Sequence, residues 1–233
     1  MARYARDLAW IHHAGFSGPG RHAARFLLGR LRRGGRPGGT VVDLGCGTGA
    51  AARVLRAGGY HVVGFDGSAA MLALARGHAR GARFRRSSLW AARLPPCVAV
   101  LAFGECLNYE ARGMALLPLF RRVRRALAPG GLFVFDLREV AARGEAVRVR
   151  AGPGWAVAAH SARSRRRLTR RIVFWRRRGG RWRRGEEVHR LRLWPRREVR
   201  AALARAGFEV EVVRAFGRAR LSGTAGYVAR ALR

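Results

Sequence analysis

The sequence predicts an α/β domain built on an open, mostly parallel sheet, and three observations carry that prediction. A short apolar strand at 41–44 runs straight into glycines at 45, 47 and 49, with a helical segment close behind. Glycines at that spacing let the backbone turn sharply and bring N–H groups against a ligand at a helix start. Strand-like stretches at 60–66, 83–89, 97–104 and 132–136 then alternate with helical ones at 51–59, 69–79 and 121–128, the rhythm of βαβ units. The run CVAVLAFG at 97–104 is continuously apolar, as a central strand buried on both faces must be.

Composition sets the bounds. A chain of 233 residues suits one large domain, or one domain with a lid, and 49% hydrophobic content supplies a core and excludes global disorder. No apolar run approaches the ~20 residues of a membrane helix. The first residues, MARYARDLAWIHHAGF, have no uninterrupted apolar stretch, so a cytoplasmic protein with no membrane partner is expected. Cys46, Cys97 and Cys106 have neither metal-ligand spacing nor an even count, so reduced structural cysteines and no metal are expected. The net charge of +35 rests on 48 basic residues, every one an arginine. Selection for a phosphate-binding surface alone would use lysine too. The pattern reads as a compositional bias of a GC-rich source, leaving nonspecific adhesion to nucleic acid as its physical consequence.

The glycine run VVDLGCGTG at 41–49 is ambiguous by itself, because Gly45, Gly47 and Ala50 also satisfy the dinucleotide pattern G-x-G-x-x-G/A. Asp43 breaks the tie: a carboxylate two residues before the first glycine suits a ligand with an ammonium group and opposes a pyrophosphate. The strand YHVVGFD ends in a second acid, Asp66, about 20 residues past the glycines, where a ribose diol would be held. With VVDLGCGTG as a first motif, GFDGS (64–68) as a second and ALAPGGLFVFDL (126–137) as the helix end and fifth strand, the chain resembles the class I S-adenosylmethionine-dependent methyltransferases. The resemblance implies a Rossmann-like seven-stranded sheet, mostly parallel with the last strand antiparallel. It implies S-adenosyl-L-methionine as cofactor and S-adenosyl-L-homocysteine as product, held by Asp43, Gly45, Cys46, Gly47, Asp66, Gly67, Met71, Ser88, Leu89 and Gly104.

The remaining elements follow in order. Residues 1–39 are expected to form a helical lid. YARDLAWIHHAGF (4–16) leads into apolar positions Ala23, Phe26, Leu27 and Leu31, and GGRPGG at 34–39 stops the helix. That opening stretch is similar to the lid of some small-molecule methyltransferases, with Tyr4 and His12 as matching residues and His13 where those relatives often carry an aspartate. Residues 40–140 and 195–233 form the cofactor-binding core. Ser87, Ser88 and Leu89, at the exit of the third strand, match the segment holding the adenine. After the fourth strand come Glu105, Cys106, Leu107, Asn108 and Tyr109, beyond the carboxyl ends of the strands where ligands of open parallel sheets sit. FGECLNY also resembles the lining of the methyl-transfer pocket.

Past the fifth strand the helical period is lost. Three alternating runs at 155–161, 167–175 and 181–194, with a Gly179-Gly180 turn, predict a small antiparallel β-sheet inserted at 145–194 over the substrate side. In the third run His189, Leu191 and Leu193 share one face. A helix from Pro195 to a stop at Gly207 leads to the last strands at 208–213 and 226–232.

Methyl transfer from a sulfonium needs alignment and exclusion of water more than a protein nucleophile, and orientation can supply ~7–11 kcal/mol. A base is needed if the acceptor is a phenol, alcohol or ammonium. His12, Glu105 and His189 are the candidates, with Asn108, Tyr109 and Tyr4 to orient a small-molecule acceptor through an O or N atom. Two alternatives stand beside this reading. The charge favours an RNA or DNA methyltransferase, but Phe103-Gly104-Glu105-Cys106 stands where amino-group nucleic-acid methylation uses N/D-P-P-Y/F/W. A non-catalytic S-adenosylmethionine-binding protein would keep the cradle alone. The twelve arginines of 163–184, with Phe174, Trp175 and Trp182 between them, could grip single-stranded nucleic acid, but alternation puts half of them on one solvated face.

Overall fold

The computed structural model describes residues 4–110 and 114–232. Among them a seven-stranded sheet runs in the order β10-β13-β5-β4-β1-β2-β3. Its strands are β1 (Thr40–Leu44), β2 (His61–Asp66), β3 (Arg83–Arg86), β4 (Cys97–Ala102), β5 (Leu127–Leu137), β10 (Phe208–Val213) and β13 (Ala225–Ala231). β1, β2, β3, β4 and β5 pair in parallel, and β13 lies antiparallel to both β5 and β10. The fold is therefore a Rossmann-like sheet, with its last strand reversed.

Apolar stripes cover both faces. On one, Leu27, Leu31, Ala52 and Leu55 of α2 (Gly18–Arg33) and α3 (Ala50–Ala57) pack on Val41, Leu101 and Val134. On the other, Phe120, Val123, Val199 and Leu203 of α5 (Leu116–Ala126) and α6 (Arg196–Arg205) pack on Val100, Phe133 and Phe135. The helices share their faces by the i, i+3, i+4 rule. With both faces sealed, only the carboxyl ends of β1, β2, β4 and β5 are left to build a site.

A four-stranded antiparallel sheet, β6 (Gly144–Gly152), β7 (Trp155–Arg163), β8 (Arg167–Arg178) and β9 (Arg181–Arg192), follows β5. Three of these strands match the alternating runs read from the sequence. β6 was not foreseen: its sequence GEAVRVRAG is exposed almost throughout, so no buried stripe marks it. Gly179 and Gly180 turn the β8–β9 hairpin with φ of 55° and 77°, the positive angles that a two-residue turn demands. The pairing register divides the sheet into two faces. Trp155, Val157, Ile172, Phe174, Glu187, His189 and Leu191 look inward, and Val147, Val149, Trp175, Trp182 and Val188 look outward and are exposed.

The inner face meets α1 (Arg6–Phe16). Leu8 and Ile11 form a small core with Trp155, Val157, Ile172 and Phe174. Gly15 permits the approach, since a Cβ there would lie 2.4 Å from the Trp155 ring. Asp7 and Arg176 pair at 2.8 Å, and the Arg176 guanidinium stacks 4.2 Å from the centre of the Trp10 ring. β3 ends at Arg86, which leaves 87–89 as its exit, whereas β5 begins at Leu127, ahead of the expected start at 132. A two-residue ribbon, β11 (Ala215–Phe216) with β12 (Ala219–Arg220), interrupts the β10–β13 connection.

Candidate active site

The turn after β1 is built from three glycines in the left-handed region, Gly45, Gly47 and Gly49 (φ 71°, 53° and 78°). At Gly45 a Cβ would stand 2.7 Å from that of Cys106, so the first glycine is needed for contact as well as for its dihedral. The sequence led us to expect bare amides facing a ligand. Here Gly45 and Cys46 both donate to the Phe65 carbonyl (2.8 and 3.0 Å), and Gly47 donates to Asp66 Oδ2 at 2.9 Å. A loop whose Gly45, Cys46 and Gly47 amides are already spent, with two acids behind it, is a poor cradle for a pyrophosphate.

Those acids are distinct. Asp43 is buried and its Oδ2 has no hydrogen-bond partner among the described residues. Burial, reinforced by the Asp66 charge, pushes its carboxyl up to about 7. A buried carboxylate oxygen without a donor fits the ammonium group of an amino-acid ligand. Asp66 is raised by burial against the pull of backbone donors, among them Gly47 and Ser68, whose N–H reaches Oδ1 at 2.8 Å. Ser68 caps α4 (Ala69–His78) by accepting from the Met71 amide at 3.2 Å, and donates its own hydroxyl to the Tyr4 carbonyl at 2.9 Å. Met71 is buried, whereas Gly67 and Gly104 have open space where a Cβ would stand. Ser88 is exposed and its Oγ accepts from the Trp90 amide; Leu89 packs half-buried on the core, and its carbonyl accepts from Arg122. Cys46, Cys97 and Cys106 are all buried free thiols, each pushed up by burial.

On the other side of the cradle, Asp136 at the end of β5 accepts from the amides of Gly104 and Glu105 (2.7 and 3.1 Å) and pins the loop after β4. Glu105 stands at φ 59°, disfavoured for a side chain. Its carboxylate pairs with Arg138 and, at 3.2 Å, with Arg170 of β8. Burial alone would raise it; the two guanidinium groups outweigh burial and hold it below the ordinary carboxylate range. Asn108 does not face an acceptor as expected. It is fully buried, its Nδ2 donates to the carbonyls of Arg138 and Arg192 (2.8 and 2.7 Å), and its Oδ1 accepts from the Arg138 amide at 2.8 Å. With both amide protons in use, it stitches the loop to β5 and β9.

Tyr109, Tyr4 and His189 do come together. Tyr109 Oη lies 3.0 Å from Tyr4 Oη and 3.2 Å from His189 Nδ1, and His189 Nε2 lies 2.9 Å from Glu187 Oε2. His189 has no exposure, and burial raises both phenols above their usual range. His12 stands edge-on to Tyr4 at 5.3 Å, with its Nδ1 buried and without a hydrogen-bond partner among the described residues. Burial, then the neighbouring His13 and His189, lower it to about 4, so its ring is neutral at neutral pH. His13 turns to the glycine loop, with its Nδ1 3.0 Å from Thr48 Oγ1. Sequence reasoning missed Asp136, Arg138, Arg170 and Glu187. Two had a signal: Asp136 as a carboxylate ending a strand, like Asp66, and Glu187 as the residue two before His189 on an alternating strand; Arg170 was hidden among arginines.

These geometries have counterparts in known proteins. Residues 20–213 match the model of a family described as a methyltransferase domain, and the chain belongs to that family. Its architecture is that of the class I S-adenosylmethionine-dependent methyltransferases. Among solved structures it is similar to an S-adenosylmethionine-dependent methyltransferase from Clostridium acetobutylicum, with a TM-score of 0.81 and 16% identity over 97% of this chain and 98% of that one. It is also similar to a sugar N-methyltransferase from a Streptoalloteichus species, with a TM-score of 0.81, 21% identity, and coverage of 100% and 96%. An amino pentose methyltransferase from Micromonospora echinaspora involved in calicheamicin biosynthesis gives 0.77 and 22%, each chain covered over 99%. No match was found among curated proteins. Among the described residues no helix is long and apolar enough to cross a membrane.

Proposed function

We propose that this chain transfers a methyl group from S-adenosylmethionine to an oxygen or nitrogen atom of a small-molecule acceptor, with His189 as the base. One observation carries the reading: Tyr4 is bonded to both halves of the site. Its carbonyl accepts from Ser68 beside Asp66, and its hydroxyl meets Tyr109, which is bonded to His189. When bound, the cofactor supplies a sulfonium methyl already activated for in-line displacement. Asp43 is assigned to its ammonium group and Asp66 to its ribose diol, with Gly45, Cys46, Gly47, Gly67, Met71, Ser88, Leu89 and Gly104 around it.

The chain's own residues then have separate tasks. His189 takes the acceptor's proton through the Tyr109 hydroxyl, and Tyr4 and Tyr109 orient the acceptor. His12, neutral and with a nitrogen that has no partner among the described residues, accepts a hydrogen bond from it. Glu105, already ion-paired twice, is too weakly basic for the proton transfer and instead clamps the inserted sheet to the core. Residues 1–39 and 145–194 act as lid and cover, which excludes water from the transfer. That the structural relatives include sugar and amino pentose methyltransferases supports amino sugars as the first acceptors to try. Calorimetric titration with S-adenosylmethionine, then product detection across amino-sugar, phenol and alcohol acceptors, tests the reading. Absence of binding, or binding without turnover on the whole panel, defeats it.

A further inference from the structure

We propose that Glu187 is a positioning residue that sets the tautomer of His189 and makes that setting depend on the docked N-terminal segment. The inference rests on His189 as the base. Glu187 precedes His189 by two residues on the inner face of β9, so strand alternation turns both side chains the same way. Three donors converge on its carboxylate: the Tyr4 amide at 2.7 Å and His189 Nε2 at 2.9 Å on Oε2, and the Ala5 amide at 2.7 Å on Oε1. Burial would raise this carboxyl, but His189 and the two amides outweigh it and keep it ionised.

An ionised carboxylate only accepts hydrogen bonds, so the proton of a neutral His189 must sit on Nε2. Nδ1 then offers its lone pair, and the Tyr109 hydroxyl 3.2 Å away donates to it. The Tyr109 oxygen is left to accept from the Tyr4 hydroxyl at 3.0 Å. One carboxylate therefore gives direction to every proton in the row, and leaves Nδ1 able to receive one more from the acceptor side.

Dependence on the segment follows from where the other donors come from. Two of the three are main-chain amides just ahead of α1. Tyr4 holds φ 57°, a conformation disfavoured for a residue with a side chain. It is kept there by Glu187, by Ser68 on its carbonyl and by Tyr109 on its hydroxyl. With the segment lifted, Glu187 loses both amides, Tyr109 loses its second tyrosine, and the carboxylate has water to bond instead of the ring. The base is complete only when the segment is seated. The other titratable or charged groups around His189 are His12 of α1 and Arg170, its cross-strand partner on β8, which is paired with Glu105.

Nitrogen-15 NMR of the histidine ring in the full-length protein reads the tautomer without any need for turnover. The wild type is expected to show His189 protonated on Nε2. Glu187→Gln replaces the pure acceptor by a group that can also donate, and is expected to shift His189 toward the Nδ1-protonated form. Its kcat should fall about 10- to 100-fold, less than the ~10²–10⁴ that a positioned base itself contributes, while affinity for S-adenosylmethionine holds. Ala5→Pro substitutes no side chain of the row. It deletes one of the amides and opposes the Tyr4 conformation, and fits the Ala5 φ of −61°. It should move the tautomer the same way by a smaller amount, and it carries the test if Glu187→Gln does not fold. An unchanged tautomer in Glu187→Gln overturns the positioning role, and a response in Glu187→Gln with none in Ala5→Pro overturns the dependence on the segment. A protein that transfers no methyl group but shows both shifts loses the functional reading and keeps this one.

Discussion

The cofactor cradle and the acceptor face are built in opposite ways. The cradle is short-range: Asp43, three glycines, Asp66 and Ser68 lie within two consecutive βα turns, and its bonds join a backbone amide to a carbonyl or carboxylate close at hand. The acceptor face is long-range and made of side chains. Tyr4 and Glu187, which meet at 2.7 Å, are 183 residues apart, and Glu105 and Arg170 are 65 apart. The cradle forms as soon as the parallel strands pair, because its geometry follows from the turn. The acceptor face exists only after the N-terminal helix and the inserted sheet have docked. The two should therefore fail separately.

The largest expected effect tests that separation from the acceptor side. His189→Ala should lower kcat by about 10²- to 10⁴-fold, the contribution of a positioned base, and leave the calorimetric affinity for S-adenosylmethionine within about twofold. A comparable loss of cofactor affinity would show that the two regions are one. From the other side, Asp66→Ala should weaken cofactor binding by ~1–3 kcal/mol, about 5- to 150-fold, as charge-assisted hydrogen bonds are lost and Gly47 and Ser68 give up their acceptor. The NMR signature of His189 should stay unchanged in that variant. Unaltered affinity would remove the ribose assignment.

The same contrast explains what could be read from the sequence. The glycine turn, both acids and the alternation of strands with helices were visible because each is a local pattern: a period, a turn residue, a strand-ending carboxylate. The Tyr4–Tyr109–His189–Glu187 row was visible only as isolated residues, since nothing along the chain says that positions 4 and 187 will touch. Asn108 illustrates the cost of arguing from topology alone. It lies where acceptor contacts are expected, but both its amide protons go to carbonyls brought in from β9 and the end of β5. Glu105 was read as a base from its position after β4, and the two arginines that mute it come from 33 and 65 residues away. β6 escaped notice because an edge strand exposed on both faces needs no apolar stripe.

A smaller effect should appear in the response to pH. The folded-state value of about 7 for Asp43 lies above its ordinary 3.8, so the folded protein holds a proton there that the unfolded chain has released. Between those values the folded state binds more protons, and this contribution to stability is present below about pH 4 and is lost as pH rises through about 7. Asp136, raised by burial to about 7, acts in the same direction. The ligand-free protein should thus lose thermal stability across that window, and Asp43→Asn should flatten the slope. Cofactor affinity should run the other way and rise from about pH 6 to about 7.5, because an ammonium group binds the ionised carboxylate and remains charged up to about 8. Parallel pH profiles for wild type and Asp43→Asn would remove Asp43 from both roles.

The smallest effect is expected on the face that belongs to neither region. Trp182, 57% exposed, and Trp175, 37% exposed, look outward from the inserted sheet with Arg177 and Arg184 opposite them. Arginine beside exposed aromatics can stack single-stranded bases, and a net charge of +35 favours nonspecific attraction to RNA whatever the reaction. If the cover serves the acceptor through its inner face alone, Trp182→Ala with Arg184→Ser should change stability by no more than ~0.5 kcal/mol per site and leave kcat unaltered. Binding to bulk RNA should fall steeply between about 50 and 200 mM salt, as phosphate contacts do, and RNA should not stimulate methyl transfer to a small acceptor. Loss of turnover in the outer-face variant, or turnover that needs RNA, would mean that the acceptor is held outside the sheet. The row from Tyr4 to Glu187 would then be packing rather than chemistry.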